Sequence, residues 1–197
     1  LKEFVENNKE LSSLVSFLKN NNYYDDEIED LVRNGANYWK IEKFLCNNEN
    51  WKMGGQINEE LLQRAMFFRS SDYRSLNRVI HKVRNKEYNE LHFKFLESYE
   101  LFVEILDDLL DYKEDASKKT FNICLMYEKL FGRKSRFMLI KFISNKEKEY
   151  HRLRDECLDD ELIKKQNQKM KERLEGVIDL IPSEFKGYFN NSRWCYG

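Results

Sequence analysis

The stretch that decides the reading is Glu97-Ser-Tyr-Glu100-Leu-Phe-Val-Glu104-Ile-Leu-Asp107-Asp108-Leu-Leu-Asp111-Tyr-Lys-Glu114-Asp115. Its apolar residues recur at intervals of three and four, the period of an α-helix. Leu91, Phe95, Tyr99, Phe102, Leu106 and Leu109 form one stripe, which Leu101, Ile105, Leu110 and Tyr112 widen. The apolar arc spans roughly 200°, about twice that of an ordinary surface helix. Such a helix is expected to be wrapped by neighbours on most sides, leaving its acids beside water or a cavity.

The same spacing extends outward along the chain. It predicts helices at about 9–20, 26–46, 57–68, 72–85, 88–115, 118–131, 134–156 and 160–180, with a short one after Pro182. Only one Pro and seven Gly interrupt the 197 residues. The expectation is an all-α, single-domain helical bundle over residues 1–197. The charged fraction is 35%, yet 14% of residues are aromatic, far too many for a solvated tail. A net charge of −1 argues against general nucleic-acid binding, which draws on a basic surplus. No apolar run approaches the ~20 residues of a membrane span. Position 1 is Leu, which fits a trimmed start.

Cys46, Cys124, Cys157 and Cys195 lie far apart, with no C-x-x-C and no His at ligand spacing. That pattern favours reduced thiols, and a cytoplasmic protein, over structural zinc or a disulfide framework. His81, His92 and His151 stand singly and read as surface or half-buried residues. The nineteen Asn read as compositional bias rather than mechanism.

Charge is sorted by element. From Arg64 to Lys86 seven Lys/Arg stand against one acid, a net of +6. From Glu97 to Asp115 eight acids stand against one Lys, a net of −7, and from Arg133 to Arg154 eight Lys/Arg against two acids give +6 again. A solvated helix normally interleaves the signs at i and i+4. In the acidic helix Asp107, Asp111 and Asp115 step along one edge, and Glu104, Asp108, Asp111 and Asp115 nearly superpose. Four like-charged pairs result (100–104, 104–108, 107–111, 111–115). At about 0.2–0.5 kcal/mol each, they cost on the order of 1–2 kcal/mol together. Something outside the helix must offset that repulsion: a divalent cation or the basic helices. Carboxylates at this spacing suit Mg²⁺, which takes oxygen ligands and bridges to phosphate.

Asp107-Asp108-Leu109-Leu110-Asp111 is a D-D-x-x-D match. The stretch 107–122 resembles the metal-binding helix of class I isoprenoid (terpenoid) synthases. It is similar to the second aspartate-rich motif of the prenyl diphosphate synthases and to the (N/D)-D-x-x-(S/T/D)-x-x-x-(E/D) motif of the terpene cyclases. The resemblance implies the isoprenoid synthase type of bundle, with Asp107, Asp111 and Asp115 as Mg²⁺ ligands and Asp108 beside the first. It also implies that Arg69, Arg74 and Arg78 grip a diphosphate. Glu114 stands where many bacterial cyclases carry a phosphate-binding Lys, so Lys118 or Lys119 would substitute.

The implied reaction is Mg²⁺-dependent ionisation of an allylic prenyl diphosphate with loss of pyrophosphate. The metals and arginines would stabilise the leaving group, and aromatic faces the cation. Phe67, Phe68, Tyr99, Phe102, Phe121 and Phe142 are available for such a lining, or for plain core packing. The implied partners are prenyl diphosphate or pyrophosphate, with no nucleic acid, no membrane span and room for a homodimer. The family's other acidic motif has one counterpart here, Asp25-Asp26-Glu27-Ile28-Glu29, where acids at a helix start read more simply as caps. Ser117 reads as a cap of the helix after the motif.

A second reading needs no chemistry. The acid face pairs with Arg/Lys from 64–86 or 133–154, in a helical interaction or scaffold protein with charge-sorted faces.

Overall fold

Asn and Asp side chains start the main helices. Asn8, Asp25, Asn58, Asn89 and Asn122 accept hydrogen bonds from the backbone N–H groups of Leu11, Ile28, Leu61, His92 and Leu125 at 2.9–3.4 Å. Each satisfies a donor that the first helical turn leaves without a partner. Part of the asparagine surplus is therefore capping chemistry rather than compositional bias. Asp25 is a cap, as its position at a helix start predicts.

The computed structural model describes residues 2–52, 55–87, 89–157 and 160–177. Within them the order is α1 (Lys2–Glu6), α2 (Lys9–Asn20), α3 (Asp26–Cys46), α4 (Asn48–Lys52), α5 (Glu59–Arg69), α6 (Ser71–Val83), α7 (Glu90–Leu110), α8 (Tyr112–Lys118), α9 (Ile123–Phe131), α10 (Ser135–Glu156) and α11 (Asp160–Val177). A 3₁₀ turn, Gly132–Lys134, joins α9 to α10, and Gly132 supplies the positive φ (+52°) at which α9 ends. No strand occurs among the described residues. None of their helices is long and apolar enough to cross a membrane. The helix expected after Pro182 lies outside the described residues.

The helix expected over 88–115 is two helices. α7 ends at Leu110, Asp111 forms the joint, and α8 runs to a left-handed Lys119 (φ 58°). The crowded aspartates, poor helix formers in any case, sit at that break. The next helix starts at Ile123 rather than near 118, and its cap is Asn122. Ser117 instead bonds back to the Glu114 carbonyl (2.7 Å).

α7 is the central element, packed against α5, α9, α10 and α11, while α3 packs on α5 and α6. One contiguous core joins Tyr38 and Leu45 of α3, Leu62 and Met66 of α5, Phe95, Phe102, Ile105 and Leu109 of α7, Tyr127 of α9, and Phe142 and Tyr150 of α10. Rings meet edge-on or tilted: Phe102 with Tyr150 (6.1 Å), Phe142 with Tyr127 (6.1 Å), Tyr38 with Phe121 (6.0 Å). The three phenylalanines of these pairs are buried, so they serve as core. Phe67 is exposed, and Phe68 and Tyr99 are half-buried.

Candidate functional site

The acids of α7 divide by face. Asp108 is fully buried, and Glu104 is nearly so. Between them stands Arg69, at the end of α5. Its Nε lies 2.7 Å from Glu104 and its Nη1 donates to Asp108 at 2.5 Å. Asp108 Oδ2 also accepts from the backbone N–H of Ile123 (2.6 Å), the first residue of α9. A carboxylate at a helix N-terminus meets both an orphan donor and the positive end of the dipole. Asn122 closes the arrangement by donating to the Asp108 carbonyl (2.5 Å) and to Asp115 (3.0 Å). One carboxylate thus ties α5, α7 and α9 together. Burial pushes the Asp108 carboxyl up to about 7, against the pull of Arg69 and the Ile123 N–H.

Glu100 repeats the pattern one turn earlier. It accepts from Arg74 Nε (3.3 Å) and Asn77 (2.9 Å). Burial, aided by Glu97, raises its carboxyl to about 7 although Arg74 opposes the shift. Arg74 is itself buried, donates to the Phe67 carbonyl (2.5 Å), and lies over the Phe67 ring at 4.2 Å. The offset to the crowding of Glu100, Glu104 and Asp108 therefore comes from the 64–86 segment.

The other candidates are placed as follows. Arg78 pairs with Glu27 of α3, away from the aspartates, and Lys118 with Glu114 in its own helix. Asp115 accepts from Thr120 (2.7 Å) as well as Asn122. Asp111 is exposed. Slight burial and the neighbouring Asp115, Glu114 and Asp107 raise its carboxyl. Carboxylate oxygens suit Mg²⁺ chemically. Yet among the described residues no three His, Cys, Asp or Glu side chains converge in a way that could hold a metal ion. The structure brings Arg69 to Asp108 and Arg74 to Glu100, but does not assemble the three arginines around the aspartates. Glu100 and Glu104, which the sequence offered only as members of like-charged pairs, and Asn122 are the participants that sequence reasoning did not assign to the site. The signal for Asn122 was its place immediately before the apolar run Ile-Cys-Leu-Met.

A cavity of about 280 Å³ lies where α3, α6 and α7 meet, lined in part by Arg78, His81, Lys82 and Phe93. It shares His81 and Lys86 with a wider groove at the start of α7. The His81 and His92 rings meet there at 5.4 Å, so two histidines isolated in sequence are neighbours in space. None of the four motif aspartates lines either hollow. Cys46, Cys124 and Cys157 are free thiols, and Cys195 lies outside the described residues.

The least ordinary surface is on α6. Its body-facing side is polar: Ser71, Arg74, Ser75, Arg78 and Lys82. Ser71 meets α3 at Gly35, where an added Cβ would stand 3.9 Å from the Ser71 Cβ. Arg78 and Lys82 pair with Glu27 and Asp25 near the start of α3. The apolar side faces out, with Tyr73, Leu76, Ile80 and Val83 exposed by 59, 55, 37 and 52%. An amphipathic surface helix ordinarily buries its apolar stripe. This one is inverted.

Comparison with known proteins finds no matching family model, no matching curated protein and no matching solved structure.

Proposed function

We propose that this protein is a non-catalytic helical interaction protein whose docking face is the outward side of α6. One observation carries the reading: α6 turns its charged side to the body and a row of four large apolar side chains to solvent. A contiguous exposed apolar patch is the mark of a binding surface. The acid–arginine network supports it, because Arg69 and Arg74 act as internal counter-ions and the acids of α7 help hold α5, α6 and α9 in place. The test is Leu76→Glu with Ile80→Glu, unfolded by urea at low protein concentration, where association contributes least. A docking face tolerates both changes within about 0.5 kcal/mol each. A loss of the 2–5 kcal/mol typical of core truncation would show that the face is packed inside the chain and sink the reading.

A second reading, the Mg²⁺-dependent isoprenoid synthase, is favoured by one feature: the mutual repulsion of Asp107, Asp111, Glu114 and Asp115 around the α7–α8 joint. Its residues would be Asp107, Asp111 and Asp115 for the metal and Lys118 for a phosphate. Mg²⁺ with pyrophosphate would then raise the melting temperature of the wild type but not of Asp107→Ala/Asp111→Ala. The interaction reading expects no shift in either.

A further inference from the structure

The spacing of the exposed residues on α6 names an occupant. Tyr73, Leu76, Ile80 and Val83 are separated by three, four and three residues. That is the alternation of a coiled-coil seam, and it reads the same in both directions. We propose that this face pairs with the same face of a second copy, the two α6 helices running antiparallel about a two-fold axis level with Arg78. The inference rests on the docking-face reading above. In that register Leu76 lies opposite Ile80 of the other copy and Tyr73 opposite Val83. Every contact then occurs twice, as an isologous interface requires. Four apolar layers form along a helix of about 20 Å.

The charges at the ends favour this direction. Exposed Asp72 stands at the N-terminal end of α6, and exposed Arg84 and Lys86 follow its C-terminal end. Antiparallel copies bring Asp72 alongside Arg84 and Lys86 and oppose the helix dipoles head to tail. Parallel copies would place the basic ends together. The inner side of α6 is already held by α3 and α7, so the apolar layer of the pair needs no rearrangement of the body. A seam this short gives a reversible dimer rather than a permanent one.

Sedimentation equilibrium over a wide range of protein concentration is the first measurement. The expected result is a concentration-dependent dimer for the wild type and a monomer for L76E/I80E with the same helical circular dichroism. Direction is read on a background of Cys46→Ser and Cys195→Ser, with a short bismaleimide. L76C mixed with I80C should cross-link several-fold faster than either variant alone. Faster self-linking of L76C overturns the antiparallel register. A wild type that stays monomeric while L76E/I80E is equally stable overturns self-pairing and leaves the face to a different partner. If the wild type is monomeric and L76E/I80E is strongly destabilised, self-pairing and the docking-face reading fall together.

Discussion

Arg69 is a single guanidinium set between two carboxylates, so its pocket holds more negative than positive formal charge. Removing it would leave Asp108 and Glu104 buried without a counter-ion. Arg69→Met is expected to cost about 3–5 kcal/mol in urea unfolding, the usual penalty for breaking a buried pair from one side. Glu100 gives a pH signature. Its carboxyl is raised from 4.5 to about 7, so the native state holds that proton more tightly than the unfolded chain. The stability it contributes is full below about 4.5 and is lost as pH rises through about 7. Melting temperatures across that window should fall for the wild type and fall less steeply for Glu100→Gln, the remaining slope coming from Asp108, whose carboxyl burial also raises to about 7. At this scale the sequence showed that acids on α7 need an offset, because like charges four residues apart can be counted. It did not show which basic residue supplies it. Arg69 and Asp108 are 39 residues apart, and only the packing of α5 on α7 joins them.

At the scale of elements, helical spacing located the helices because 3.6-residue periodicity is a local property. The break at Asp111 was less legible: apolar spacing runs on through Tyr112, while repulsion among the acids and the tie from Asn122 to Asp115 favour a joint. The orientation of α6 was not legible at all. Alternation of Tyr73, Leu76, Ile80 and Val83 with Arg74, Arg78 and Lys82 fixes the axis of amphipathicity, but not which side meets the body. Carboxylates at Asp25, Glu27 and Glu100, brought together only by the fold, decide that. α6 is therefore attached largely through charge. Its partly exposed pairs should weaken as salt shortens the Debye length to about 3 Å near 1 M. Amide hydrogen exchange should accelerate in α6 with added NaCl, while α7, held by apolar packing, stays protected. Equal salt responses in the two helices would contradict this.

Across the whole molecule, the sorting of charge by segment becomes a sorting by layer. The acidic α7 lies against basic side chains from α5 and α6, which offset the crowding of Glu100, Glu104 and Asp108, while Asp111 keeps Asp107, Glu114 and Asp115 as like-charged neighbours at the α7–α8 joint. The 133–154 segment, equally basic, contributes α10 mainly through apolar residues such as Phe142 and Tyr150. It forms local ion pairs, as in Arg152 with Glu156 and Lys146 with Glu149. Equal net charge in two segments thus has two different uses, and only the burial of the acids they face distinguishes them.

The junction of Arg69, Asp108 and Ile123 also sets an order of assembly. A carboxylate can leave water at low cost only when its cation and its amide donor are both in place, and here the three groups come from three separated segments. Until α5, α7 and α9 have docked, Asp108 gains more from hydration than from its partners. The junction should therefore close late on the folding path and act as a latch on the finished bundle, holding back the rate of escape more than it speeds arrival.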